Sequence, residues 1–338
     1  MIRIPLLALA ATLPLGAMAQ SADSPCYGAM LEGFDYPWPV KRHVVKSQGQ
    51  SLEMAYLDIA PTTRANGRSV VLLHGKNFTA ATWESQIRAL AKAGYRVIAP
   101  DQIGFGKSSK PAMYQYSFAQ LAANTRGLLD ALGIGRSALV GHSMGGMLAV
   151  RYALQYPTHT GQLLLVNPIG LEDWKAKGVP WVDVDALYAG ELKTSFESIR
   201  EYQLDVYYNG QWKPEYQRWV DMLGGMYAGP DRERVAWNQA LTSDMVFNQP
   251  VVHEFGEIRV PTTLFIGQLD KTAIGRDRAP AALKPQLGRY PELGRAAAKA
   301  IPGATLVEFA DLGHSPQVEA PERFNKALLD ALAKGPVD

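Results

Sequence analysis

The sequence predicts an α/β protein, a mostly parallel, doubly wound sheet with helices on both faces and a helical insertion. Three observations predict it. Short apolar, β-rich runs alternate with longer segments of helical periodicity. Most of these runs are apolar without interruption, as strands covered on both faces must be. The rhythm then breaks once, between Pro168 and Phe255, where 88 residues separate two strand-like runs.

The first residues, MIRIPLLALAATLPLGAMA, set Arg3 before an apolar stretch and finish with Ala17-Met18-Ala19. That pattern predicts a secretory signal over 1–19 and a periplasmic or secreted location. The stretch contains Pro5 and Pro14 and is shorter than the roughly 20 residues that cross a bilayer, which argues against an anchor, and no further apolar run of about 18 residues appears in the sequence, so no stable membrane insertion is expected after its removal. Residues 20–43 read as an N-terminal extension. They hold Cys26, the single cysteine, so an internal disulfide is impossible and stability must come from the core. Segments 43–47 and 52–59 alternate in polarity and predict an antiparallel edge. Buried strands follow at 69–73, 96–99, 138–140, 162–166, 262–266 and 304–309. Apolar spacings of three and four predict helices at 82–93, 118–132, 144–155 and 321–333. A loop rich in Pro, Gly and Arg spans 273–290 and leads into a helix at 291–301. The expected core is therefore 44–167 with 256–338, and the insertion 168–255 forms a helical cap. The cap carries 14 of the 32 aromatic residues, among them Trp174, Trp181, Tyr188, Tyr202, Tyr207, Tyr208, Trp212, Trp219 and Trp237. Most of these rings are expected to pack the cap onto the core, and a minority to face a ligand.

Composition removes several classes of function. Hydrophobic residues make up 47% and charged residues 20%, as in ordinary globular proteins. Net charge is +2 with no basic run, so nothing supports a nucleic-acid partner. Gly104-Phe105-Gly106-Lys107-Ser108 ends like a phosphate loop, but Asp101 stands where that motif begins, and a carboxylate there repels phosphate. The run at 133–138, GIGRSA, has dinucleotide-fingerprint spacing, yet it follows a helix and precedes a strand, the reverse of what pyrophosphate binding requires. The histidines His43, His74, His142, His159, His253 and His314 show no metal-ligand spacing. Neither cofactor nor metal is expected.

One motif sits in the right context. Gly141-His142-Ser143-Met144-Gly145 fits Gly-x-Ser-x-Gly, with a strand before it and a helix after it. At such a turn the serine is held in strained dihedrals, and the glycines let neighbouring backbone approach. The helix beginning at Met144 also points its positive end at the hydroxyl. A serine hydroxyl needs a base to take its proton, and the base needs an acid to orient it. His314, after the last strand, and Asp270, after the preceding one, are the candidates. All three lie at carboxyl ends of parallel strands, where open α/β sheets bind ligands. Asp311, three residues before His314, is a rival acid.

At these residues the chain resembles the α/β-hydrolase superfamily, over roughly Val44 to Leu332. The likeness covers His74-Gly75, the Asp101 to Ser108 loop, the elbow at Ser143, the insertion, Asp270 and His314. It implies that the backbone amides of Lys76 and Met144 form an oxyanion hole. It also implies that His74 and His142 are structural or pocket-lining, since the superfamily places its base late in the chain. Some members carry the acid after the sixth strand; here that place reads Val166-Asn167-Pro168. The expected activity is hydrolysis of a small-molecule carboxylic ester through an acyl-enzyme. Aminopeptidase, perhydrolase and carbon–carbon bond hydrolase chemistry remain open on the same triad, as does a ligand-binding protein that turns over slowly. An aminopeptidase would use cap acids such as Glu172, Asp173, Asp183 or Asp185 to hold a free amine.

Overall fold

A computed structural model describes residues 24–335; the signal segment expected at 1–19 lies outside the described residues. Eight strands form one sheet: β1 (Lys41–Ser47), β2 (Gln50–Ile59), β3 (Ser69–Leu73), β4 (Arg96–Pro100), β5 (Ser137–His142), β6 (Thr160–Val166), β7 (Thr262–Gly267) and β8 (Thr305–Phe309). Their order is β1-β2-β4-β3-β5-β6-β7-β8. β2 pairs antiparallel with both β1 and β4, and the remaining pairs are parallel. Observed strand ends differ from the expected ones by at most two residues.

Period-two geometry explains the uninterrupted apolar runs. In β3, Val71 and Leu73 face one core layer with α2 (Phe118–Ala131), α3 (Met144–Gln155) and α8 (Tyr290–Ala300). Val70 and Leu72 face the other, with α1 (Glu84–Lys92) and α10 (Pro321–Ala333). All four side chains are fully buried, and each such burial stabilises by roughly 2 kcal/mol. β8 departs from the expectation of a fully buried strand. It lies at the sheet edge, where Thr305 and Glu308 are exposed and only Phe309 is buried. The helix expected at 82–93 begins with a 3-10 turn, Ala80–Trp83, because Asp101 Oδ1 accepts the Ala80 amide and Thr79 exchanges bonds with Thr82.

Four helices stand between β6 and β7: α4 (Val184–Glu191), α5 (Phe196–Tyr202), α6 (Gln217–Ala228) and α7 (Arg232–Asn248). Asp183 and Ser195 cap α4 and α5 by accepting amides of the first turn, which satisfies donors the helix itself leaves open. Ile199, Trp219, Leu223, Met226 and Val235 then pack with Phe78 and Ala81 of the core, and with Ala29, Leu31 and Phe34 from the segment before β1. That N-terminal segment is a strap. Tyr27 donates its amide to Gly225 O at 2.8 Å, and a Cβ on Gly229 would stand 1.8 Å from Tyr27 O, so α6 and the strap meet backbone to backbone. Among the described residues no helix is long and apolar enough to cross a membrane.

Candidate active site

The turn from β5 into α3 holds Ser143 at φ 55° and ψ −120°, a left-handed conformation that a non-glycine residue adopts only when its surroundings enforce it. Those surroundings are specific. A Cβ on Gly141 would stand 2.2 Å from Gly145 O, and one on Gly145 would stand 2.2 Å from Leu73 O. Glycine at 141 thus lets the elbow close on itself, and glycine at 145 lets it nest against β3. Ser143 N donates to Val166 O, and Ser143 O accepts from Gly146 and Ile169, which pins the strained residue from both sides.

The structure brings Asp270 and His314 together. His314 Nδ1 donates to Asp270 Oδ2 at 2.7 Å, with Thr272 Oγ1 3.0 Å from the same nitrogen. A carboxylate acceptor fixes the proton on Nδ1 and leaves the Nε2 lone pair free. Nε2 is buried and has no hydrogen-bond partner among the described residues. It is thus not bonded to Ser143 Oγ, and such pairs commonly close only around a substrate. His142, the residue before Ser143, has its ring centroid 4.9 Å from that of His314. His142 Nε2 also donates to the His314 carbonyl at 2.8 Å.

Residues that sequence reasoning passed over hold this pair in place. Asn167, at the end of β6 with φ 36°, donates Nδ2 to Asp270 Oδ2 at 2.9 Å and accepts the Gly267 amide at 2.8 Å. Thr272 N donates to Asp270 Oδ1 at 2.8 Å, so both carboxylate oxygens are satisfied. Glu319, in the short helix α9 (Pro316–Glu319), accepts the amides of Gly313 and Ser315 on either side of His314, each at 3.0 Å. Burial pushes its carboxyl up to about 7. From the insertion, Tyr207 stacks on the His314 ring at 4.5 Å and accepts the His314 amide at 2.9 Å. A Cβ on Gly313 would stand 2.0 Å from Tyr207 O, which explains the glycine before the histidine.

Lys76 and Ser143 line a common cavity of about 300 Å³, and a Cβ on Gly75 would lie 3.0 Å from Ser143 Cβ. Met144 is the first residue of α3, so its amide has no acceptor within the helix. The Lys76 side chain turns to the insertion. Its Nζ donates to Gln239 Oε1 at 2.6 Å and meets Glu191 Oε1 at 3.4 Å, while Tyr227 donates its hydroxyl to the other Glu191 oxygen. Tyr202, Tyr207 and Tyr227 are the aromatic side chains on the cavity wall. Other cap rings pack among themselves, as in the Tyr208–Tyr216 stack and the Tyr188–Trp237 edge contact.

The alternatives raised by the sequence resolve by partner. His74 Nε2 accepts the Gln102 amide and its Nδ1 faces Gly75 O; burial lowers the basicity of this ring and, more strongly, that of His142. Asp101 braces the fold, accepting from Ala80 N, Lys107 N and the Tyr36 hydroxyl. Asp311 is exposed and paired with Arg323 at 2.8 Å, away from His314 Nδ1. Of the cap acids, Glu172 accepts from Lys177, Gly288 and Trp174; Asp173 pairs with His253; Asp183 caps α4. Neither these three acids nor Asp185 lines the cavity beside Ser143. Among the described residues no three His, Cys, Asp or Glu side chains converge as metal ligands do.

Comparison with known proteins agrees with this fold. The sequence profile of the Alpha/beta hydrolase family matches residues 70–327. A 2-hydroxy-6-oxononadienedioate/2-hydroxy-6-oxononatrienedioate hydrolase from Comamonas testosteroni is 30% identical over 275 residues, covering 80% of this chain and 89% of its own. A 2-hydroxy-6-oxo-6-phenylhexa-2,4-dienoate hydrolase from Burkholderia cepacia is likewise 30% identical over the same shares. The crystal structure of a probable hydrolytic enzyme from Pseudomonas aeruginosa PAO1 is 62% identical, with a TM-score of 0.90 over 91% of this chain and 99% of that one. The sheet order, the elbow and these matches together establish that the chain belongs to the α/β-hydrolase family.

Proposed function

We propose that this hydrolase cleaves a carboxylic ester through an acyl-enzyme, with Ser143 as nucleophile, His314 as base and Asp270 as its orienting acid. The observation that carries the reading is the setting of His314: its Nδ1 is committed to Asp270 at 2.7 Å and its buried Nε2 has no partner among the described residues, while Ser143, strained in its elbow, opens onto a cavity. As Ser143 Oγ bonds to the ester carbon, its proton passes to Nε2. The resulting oxyanion is received by the amides of Met144 and Lys76, each contributing roughly 3 kcal/mol to the transition state. Collapse of this intermediate breaks the carbon–oxygen bond, and the departing alkoxide takes the proton from Nε2. Water then attacks the acyl-serine by the same route, giving a carboxylic acid and free Ser143.

Carbon–carbon bond hydrolysis is the second reading, favoured by the two 30%-identical relatives, whose names give as substrates 2-hydroxy-6-oxo acids that hold no ester bond to cleave. One experiment separates the two. Aryl esters of increasing acyl length are assayed beside a 2-hydroxy-6-oxodienoate, with wild type and Ser143→Ala. The ester reading expects a burst of aryl alcohol, labelling by a serine-directed phosphonate, and a fall in kcat of about ten-thousand-fold in Ser143→Ala with an unchanged circular dichroism spectrum. Faster cleavage of the dienoate than of every ester moves the assignment to the second reading. Export is part of the proposal and rests on the 1–19 signal pattern; a mature N-terminus at Gln20, read by mass spectrometry, is its test.

A further inference from the structure

The Pro-, Gly- and Arg-rich loop noted in the sequence has a place that the catalytic reading does not explain. Following β7, it borders a second cavity of about 1210 Å³, which adjoins the Ser143 cavity and shares Glu191, Thr194, Tyr202 and Ile274 with it. The two cavities thus share one wall. Four cations line the second cavity, Lys271, Arg276, Arg278 and Lys284, against the acids Asp205, Asp277 and Glu191.

The pairing of these charges is uneven. Glu191 is already engaged by Lys76 and Tyr227 at the inner end. Lys271 and Asp205 meet only loosely, at 3.7 Å, with side chains 43% and 79% exposed. Arg276 donates to Lys271 O, Lys284 to Asp277 O and Arg278 to Pro180 O, so these three cations rest on backbone carbonyls. None of the three makes an ion pair among the described residues. A carbonyl orients a cation without neutralising it, and a cleft lined by one excess sign concentrates its field toward an incoming ligand. Arg278 is further held over the Phe247 ring, 4.8 Å from its centroid, which leaves Arg276 and Lys284 as the adaptable pair. Guanidinium and ammonium groups held in this way are the usual receptors for a carboxylate. Deeper in, Lys76 is the only cation among the described residues on the wall beside Ser143, and it is matched by Glu191. The reacting end of the substrate therefore meets a neutral wall and its far end a positive one.

We propose that Arg276 and Lys284 form an anion subsite in the adjoining cavity, so that the enzyme selects esters that carry a free carboxylate remote from the scissile carbonyl. This deepens the ester reading and rests on it.

The test compares 4-nitrophenyl hydrogen adipate with 4-nitrophenyl methyl adipate, substrates of nearly equal size that differ by one charge. Wild type is expected to favour the acid by about tenfold or more in kcat/KM, expressed in KM, with the preference shrinking in 0.5 M salt. Arg276→Gln combined with Lys284→Gln removes most of that ratio, and Arg276→Lys alone retains it. Equal kcat/KM for the two substrates in wild type overturns the proposal, as does a double variant that loses both substrates in proportion. If neither adipate is hydrolysed, the ester reading has failed, and the subsite is decided separately. Calorimetry of monomethyl adipate with Ser143→Ala, with and without the two glutamines, then supports the subsite if affinity falls about tenfold and overturns it if affinity is unchanged.

Discussion

Asn167→Asp is a one-atom-type exchange that turns the clamp on Asp270 into a charge. The amide nitrogen of Asn167 lies 2.9 Å from Asp270 Oδ2, and both residues are buried. Two carboxylates at about 3 Å and an effective dielectric near 20 repel by about 5 kcal/mol, too much for both to be ionised in a neutral solution. The folded variant therefore keeps one proton between the two oxygens. In that form the new side chain imitates the old one, donating to Asp270 and accepting from Gly267. In the unfolded chain both carboxyls release their protons near pH 4. The sign follows directly. Between pH 4 and alkaline solution the folded state binds more protons than the unfolded state, so the variant loses stability as pH rises. Urea unfolding of wild type and variant at pH 5, 7 and 9 is the assay. The stability difference should widen steadily, towards about 5 kcal/mol at the alkaline end, and kcat/KM should acquire an alkaline fall that wild type lacks. A difference that is constant with pH means that the two side chains do not face one another as described.

Glu319→Gln tests the second brace on His314. Burial raises the Glu319 carboxyl to about 7 from an ordinary 4.5, so its proton-linked contribution is complete below about 4.5 and is lost as pH rises through about 7. Relative to the glutamine variant, wild type should weaken over that window by up to roughly 3 kcal/mol in urea titrations; parallel pH profiles would contradict it. Gly145→Ala sets a Cβ 2.2 Å from Leu73 O and 2.7 Å from His74 O, backbone atoms that cannot turn aside. It should cost about 1–3 kcal/mol, lowering Tm by several degrees, and should reduce turnover as Ser143 shifts. Gly135→Ala, with nothing within 4 Å of the added carbon, is the control and should leave Tm nearly unchanged in calorimetry.

What could be read from the sequence was what local physics decides. Ser143 was visible because its strain, its flanking glycines and its strand-to-helix setting all lie within a few residues. Asp270 and His314 could be singled out as candidates because parallel strands deliver their carboxyl ends to one rim, and each follows such a strand. The sheet itself was readable for a related reason: β3 through β7 are covered on both faces and show it by unbroken apolarity, whereas edge strand β8 was read as more buried than it is.

The residues that escaped notice act across the chain. Asn167 follows β6, and its amide clamps the proposed acid, Asp270, after β7. Nothing in Val-Asn-Pro announces that, because the bond spans 103 residues and exists only once β6 and β7 lie side by side. Tyr207 belongs to an insertion whose rings gave no period separating those that pack from those that face the site, yet it covers the His314 ring and takes its amide. The same insertion is held to the core by the N-terminal strap at Tyr27 and Gly225. The imidazole is thus set by the sheet from below and by the cap from above. Loosening the strap should therefore reach His314 through Tyr207, although neither Tyr27 nor Gly225 lines the cavity beside Ser143.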